Sequence, residues 1–320
     1  MDALLTRFRW TRPRFQVSQA RPHTWLAAAP AEIEQVGETK DGDCVVYDLP
    51  SDPRHAGAGA RTRLIGEVVD RYFASIYADD TAPDELIHVT CGGYLQPSGA
   101  QRLVATRAWD TRVTHAYRLG GHAAVPAIQM AAQRMGSVRR VDIAHTELST
   151  LTCGTATPAE DTTVADGMIR YSMVPETTPV AGLRVLGIHH RDVAGVVDAM
   201  TLQSSSVSVP EAVASALRGF VRELFASADV DLGRLRDASF AVHPSDAWVI
   251  DRVIDVLMLR DDQLAASRNV LREQGNMMSA TLPHIWMRLL SDPAIAPGTL
   301  IPSIAFGPGM TLWGALLEKR

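Results

Sequence analysis

Apolar residues recur along this chain at two different spacings. Between 62 and 78, Ile65, Val68, Val69, Tyr72, Phe73 and Ile76 fall at the three- and four-residue intervals of a single helix face. The spacing predicts a helix there and another at 210–228, where Val213, Leu217, Phe220, Val221, Leu224 and Phe225 form the same stripe. Residues 122–135, 247–258 and 263–273 also read as helices. Between them lie short, mainly apolar segments: 86–90 behind Pro83-Asp84, 141–144, 182–188, and 240–242 leading into His243. Runs this short, bounded by turn residues, predict buried strands. Two short strands around Gly307-Pro308-Gly309 close the chain. Strands alternating with helices predict a sheet covered by helices. Linker-like composition at 154–163 and 175–181 suggests two halves, 1–178 and 179–320.

Composition narrows the class. The chain has 320 residues, 46% hydrophobic and 21% charged, enough to bury a sizeable core. A net charge of -5 gives no basic field for nucleic acid or an anionic membrane surface. Arg7 and Arg9 interrupt the apolar run a signal peptide would need, and no stretch reaches the roughly 18 apolar residues of a membrane span. Cys44, Cys91 and Cys153 are odd in number and far apart, with no CxxC pair. A reducing cytoplasm fits them better than a disulfide framework or a zinc site. Dinucleotide, P-loop, HExxH and GxSxG signatures are missing, and His189-His190 has no third ligand at metal spacing. No metal is expected. These features point to a soluble protein that acts on small molecules.

Five segments carry chemistry when taken together. Thr90-Cys91-Gly92-Gly93 follows a strand, and Tyr117-Arg118-Leu119-Gly120-Gly121-His122-Ala123 opens a helix. Phe240-Ala241-Val242-His243-Pro244 puts a histidine at a strand exit, and Gly275-Asn276-Met277-Met278-Ser279-Ala280 puts an asparagine between a glycine and a helix. Ala305-Phe306-Gly307-Pro308-Gly309 is the fifth. In this order they resemble the thiolase superfamily, specifically the type III polyketide synthase (chalcone-synthase-like) and ketoacyl synthase III branch. Leu271 to Ala280 is close to that family's L-x-x-x-G-N-M-S-S-A, and 305–309 to its G-F-G-P-G loop. Asp166-Gly167 fits its D-G ahead of a strand, here 168–172.

The resemblance implies a five-layered αβαβα fold of two similar halves, dimerising through the first as a homodimer or as a heterodimer with a paralogue. It implies acyl thioesters on CoA or on an acyl carrier protein's phosphopantetheine arm, and no further cofactor. In the family a cysteine at a helix N-terminus takes the acyl group. A histidine and an asparagine then hold the extender's carbonyl oxygen while carbon dioxide leaves. These last two carry over to His243 and Asn276. The cysteine does not, because its position is Gly121, which has no side chain to acylate. His243-Pro244-Ser245-Asp246-Ala247 also departs from the family's H-P-G-G-P, and Arg118 stands where the family has an uncharged or His-like residue.

Other residues near the lost cysteine have open readings. Cys91 is a buried structural thiol, a substrate contact or a replacement nucleophile. His122 is a polar residue in a helix first turn, a base or an acyl acceptor. Glu147 matches an acidic residue the family places near the site, as a general base through water or as a structural carboxylate. Phe306, Gly307, Pro308 and Gly309 would line the substrate passage. Three functions follow: a condensing or decarboxylating enzyme with no cysteinyl intermediate, a non-catalytic partner subunit of an active paralogue, or a thioester hydrolase or acyltransferase using Glu147 or His122.

Overall fold

The structure is a computed structural model that describes residues 2–11, 15–18, 34–35, 43–46, 58–93, 95–152, 165–199, 209–245 and 247–320. Its strands are β1 (Ala3–Trp10), β2 (Phe15–Ser18), β3 (Glu34–Gln35), β4 (Asp43–Val46), β5 (Glu85–Thr90), β6 (Arg112–Tyr117), β7 (Val141–Leu148), β8 (Asp166–Pro175), β9 (Leu183–Asp192), β10 (Ala241–Val242), β11 (Leu300–Gly307) and β12 (Thr311–Lys319). The α-helices are α1 (Ala58–Ile76), α2 (Gly99–Thr106), α3 (Ala124–Ala132), α4 (Ser149–Thr152), α5 (Val209–Ser227), α6 (Ala247–Leu257), α7 (Ala265–Gln274) and α8 (Thr281–Ser291).

Nine strands hydrogen-bond in the order β10-β11-β12-β9-β1-β8-β7-β5-β6, and β3-β2-β4 form a small separate sheet. β5 runs parallel to β6 and β7, and β10 parallel to β11. The large sheet has two lobes, β6-β5-β7-β8-β1 and β10-β11-β12-β9. They meet where Leu4 and Leu5 of β1 pair with Arg184 and Leu183 of β9. Each lobe starts from a strand at the junction, continues through a 19-residue helix (α1 or α5), and sets a parallel pair beside it. Where the first half has the edge strand β6, the second has helix α7.

Three apolar clusters give the layers. The α1 residues Ile65, Val68, Val69, Tyr72, Phe73 and Ile76 cover one outer face with Leu103 of α2. The α5 stripe from Val213 to Phe225 covers the other outer face with Val249 and Val253 of α6. Between the lobes lie α3 (Val125, Ile128) and α8 (Leu282, Ile285, Trp286), packed on residues of both, among them Ile143, Ile169, Val185 and Leu317. Helix, sheet, helix, sheet, helix is the five-layered αβαβα arrangement of the thiolase fold. β5, β7 and β11 are buried along their whole length because both faces are covered, so even their polar residues, such as Asp142 and Glu147 of β7, lie inside.

The structure differs from the sequence reading at several elements. Residues 3–10, read only for their arginines, form β1, the strand that ties the lobes together. α2 and β6 were not anticipated; α2 begins on a capping box between Ser98 and Gln101, a local signal present in the sequence. The helix read at 122–135 opens with a 3-10 turn at Gly121–Ala123 and ends at Ala132. The closing strands, expected to be short, run eight and nine residues. The linker-like segment 154–163, Cys153 and Asp246 lie outside the described residues.

Candidate active site

The parallel strands of the two lobes end on the same region. β5 runs out into Cys91, β10 into His243, β7 carries Glu147 near its end, and β11 ends at Gly307. The turns that open α3 and α8 arrive beside them. Both turns begin with a glycine in nearly the same conformation: Gly120 at φ 82, ψ -166 and Gly275 at φ 78, ψ -172. That backbone region is open essentially to glycine alone. The two halves therefore deliver Gly121 and Asn276 to the site by the same local device.

His243 is 2% exposed, and its backbone N–H donates to the Ile304 carbonyl (2.8 Å), which anchors it to β11. Its imidazole lies over Gly121: a Cβ there would stand 2.6 Å from Cε1, 2.8 Å from Nε2 and 3.3 Å from Nδ1. The room that a nucleophile's side chain would need is filled by the histidine. Nε2 lies 3.1 Å from the Met278 carbonyl oxygen, which can only accept, so Nε2 carries the proton. Nδ1 then holds a lone pair, and it has no hydrogen-bond partner. Burial lowers the imidazole pKa from 6.5 to about 4, keeping the ring neutral.

Asn276 is 7% exposed. Its Oδ1 accepts from the Met278 N–H (3.0 Å), and its Nδ2 donates to the Ser245 carbonyl (3.2 Å). This turn bond takes the place of the helix cap that asparagine commonly supplies. One of its two amide hydrogens is used. Asn276 and His243 are thus coupled through Met278, whose N–H and C=O each hold one of them. The Asp166-Gly167 pair supports the turn from below, because a Cβ at Gly167 would stand 2.5 Å from Met277 Cβ.

Glu147 is 1% exposed and accepts from the Ser279 hydroxyl at Oε1 and from the Cys91 backbone N–H at Oε2 (3.0 Å). His145, two residues earlier on the same strand face, lies 3.0 Å from Ser279 Oγ through Nδ1 and 3.3 Å from the Tyr171 hydroxyl through Nε2. With the Ser279 proton on Glu147, His145 donates from Nδ1 and accepts from Tyr171, so one chain of donors runs toward the carboxylate. Desolvation raises the Glu147 pKa from 4.5 to about 7, even though these hydrogen bonds favour its charged form. Burial, and then the Glu147 carboxylate beside it, pushes the Cys91 thiol well above its usual range. Cys91 is a protonated thiol here, without the thiolate a nucleophile needs.

The remaining candidates separate. His122 is wedged against Gly307, where a Cβ would fall inside its ring. Its Nδ1 has no partner, and burial followed by the nearby His243 lowers its pKa to about 4. The ring stacks on Trp313 (6.2 Å between centroids), which in turn stacks on His190 (4.7 Å). Phe306, expected to line the passage, points the other way into the outer core under α5 and α6, because alternation along β11 turns Ala305 and Gly307 inward. Pro308 and Gly309 form the β11–β12 turn, with Gly309 at φ 78. His189 is bound to Glu223 (2.9 Å). Ser279, His145, Tyr171 and the Met278 carbonyl were not singled out from sequence. His145 and Glu147, spaced by two in a strand, were the signal available for that chain.

Comparison with known proteins bears on the fold and on the second half of the chain. Residues 190–319 match the family of chalcone and stilbene synthases, C-terminal domain. Type III polyketide synthase pspB of Penicillium soppii is 35% identical over 83 residues, 26% of this chain and 20% of its own length. Bisdemethoxycurcumin synthase of Oryza sativa subsp. japonica is 40% identical over 91 residues, 27% of this chain and 23% of its own. The aligned segments therefore span less than a quarter of either relative. The fold match runs the full length: a PKS-I of the brown alga Ectocarpus siliculosus superposes with a TM-score of 0.83 at 17% identity, covering 99% of this chain and 98% of that one. A type III pentaketide synthase from Neurospora crassa gives 0.80 at 14%, covering 100% of both.

Proposed function

We propose that this chain, a type III polyketide synthase-like protein by its fold and by residues 190–319, is a condensing enzyme that consumes acyl thioesters without forming an acyl-cysteine. The observation that carries this reading is the His243 imidazole, coupled to Asn276 through Met278 and lying on a glycine where an acylated side chain has no room.

Loss of carbon dioxide from a malonyl-type thioester leaves its electron pair on the α-carbon, delocalised onto the thioester oxygen. That enolate oxygen accepts from the Asn276 amide, which has a hydrogen to spare. An oxyanion is a stronger acceptor than a neutral carbonyl, so the amide stabilises the transition state more than the bound substrate. The carbanion then attacks the carbonyl of a second acyl chain: a C–C bond forms and the bond to the chain's carrier breaks. His243 lies where that second carbonyl must come. The carrier is CoA or the phosphopantetheine arm of a carrier protein, and the active form is a dimer.

Incubation with malonyl- and medium-chain acyl thioesters, reading products and intact protein mass together, tests this. Condensed or decarboxylated product with all cysteines still alkylatable is expected. Asn276→Ala is expected to lower kcat by about 10²–10³, the cost of one oxyanion donor. No loss of thioester under any condition would overturn the reading.

A second reading rests on a different observation. The His243 Nε2–H and one Asn276 hydrogen are already held by the backbone carbonyls of Met278 and Ser245, as in a site that satisfies itself. A partner subunit that shapes a paralogue's passage would show no turnover alone and would raise turnover when mixed with an active type III synthase.

A further inference from the structure

The absent cysteine leaves a question of where the acyl chain waits while the extender decarboxylates. We infer that His243 itself carries it, its Nδ1 taking the nucleophile's part as an acyl-histidine. The inference rests on the reading that the chain consumes acyl thioesters, and goes beyond it by naming a covalent intermediate.

Three observations converge on this atom. The imidazole occupies the space of the lost side chain, with Nδ1 3.3 Å from the position of a Gly121 Cβ. The ring is held at both ends: its backbone N–H on Ile304, and its Nε2–H on the Met278 carbonyl. The second bond fixes the tautomer, so the lone pair sits on Nδ1, and a third group orienting the reactive one is the arrangement activated nucleophiles use. Finally, Nδ1 is a buried nitrogen with no partner, an unmet acceptor in a residue 2% exposed. A buried polar atom left without a partner calls for an explanation, and an arriving reaction partner supplies one here. Burial keeps the ring neutral, so the lone pair is present at neutral pH. His122, the other unpartnered imidazole nearby, is excluded because its Nδ1 is blocked by Gly307.

The steps balance. The Nδ1 lone pair attacks the thioester carbonyl carbon, the N–C bond forms, and the C–S bond breaks with its electrons on sulfur. The Nε2 proton, acidic once Nδ1 is acylated, leaves to the thiolate by way of solvent, giving a neutral acyl-imidazole and a free thiol. The extender's carbanion then attacks the acyl carbon, the C–N bond breaks, and the imidazole recovers a proton from water. Asn276 alone is the enolate donor in this sequence.

Rapid acid quench after mixing with an acyl thioester, without extender, tests it. One acyl group per chain is expected on the peptide holding His243. It should be lost within minutes at alkaline pH or on adding hydroxylamine, with acyl hydroxamate formed in equal amount. His243→Gln should show no adduct while unfolding like the unaltered chain. With extender added, Asn276→Ala should accumulate the adduct relative to the unaltered chain, since its second step is slowed. If the histidine variant fails to fold, the identity of the acylated peptide in the unaltered chain still decides. Condensed product with no adduct at any quench time, or an adduct on a cysteine, overturns the inference and leaves the condensing reading standing. Adduct followed by hydrolysis alone keeps the inference and overturns that reading. Neither adduct nor thioester loss overturns both.

Discussion

Gly121 decides the most at the scale of single residues. A Cβ there would stand only 2.6 Å from the His243 ring, so a cysteine placed at this position displaces the histidine. Gly121→Cys is expected to cost about 1–3 kcal/mol through overpacking and to lower thioester turnover, read by chemical unfolding and by product formation. Glu147 makes a second prediction. Folded, it holds a proton up to about pH 7; unfolded, it releases it near 4.5, so the folded state binds more protons between those values. Its contribution to stability is present below 4.5 and is lost as pH rises through 7. Glu147→Gln should remove that slope, and unfolding free energies measured in parallel with the unaltered chain should diverge across this window. If the two profiles remain parallel, Glu147 is not the group that titrates there.

At the scale of elements, the strands of the first lobe are tied by buried charge. Asp142 on β7 is fully buried and accepts from Tyr77 (2.8 Å), Ser172 (2.6 Å) and Arg170 (2.9 Å), the last also fully buried. Removing one member of such a set strands the rest without compensation. Asp142→Ala is expected to cost about 3–5 kcal/mol in urea unfolding. A loss under 1 kcal/mol would mean that Arg170 is fully served by Asp80, its second partner. The helices on the outer faces were legible because their stripes are wide and regular. β6 and α2 were not: β6 is an edge strand whose exposure alternates weakly, and α2 has only eight residues.

The whole molecule is held by a core that neither half completes. α3 comes from the first half and α8 from the second, yet both pack in one cluster with strands of both lobes. Unfolding by urea should therefore show a single cooperative transition, with fluorescence and circular dichroism coincident. Residues 1–178 expressed alone should lack such a transition; a sharp one would mean that the lobes fold independently. The same shared interior desolvates His145 and His284, lowered to about 3, and His122 and His243, lowered to about 4, while His88, buried against Phe73 under α1, is also lowered to about 3. Each favours the folded state above 6.5 and withdraws that support as pH falls.

Periodicity was enough for the helices of the outer layers and most strands, and motif order, through the family resemblance it carries, for the five-layered fold class and for His243, Asn276, Gly121 and Glu147 as candidates. Those signals are local: a 3.6-residue stripe, a short apolar run, a glycine before a turn. What these residues face was decided by tertiary structure alone. That Phe306 turns outward, that Nε2 of His243 is held by Met278, and that Ser279 links Glu147 to His145 across 132 positions depend on contacts distant in sequence. No local pattern encodes them, because a hydrogen bond or a blocked cavity is a property of two surfaces and exists only once the lobes have closed on each other.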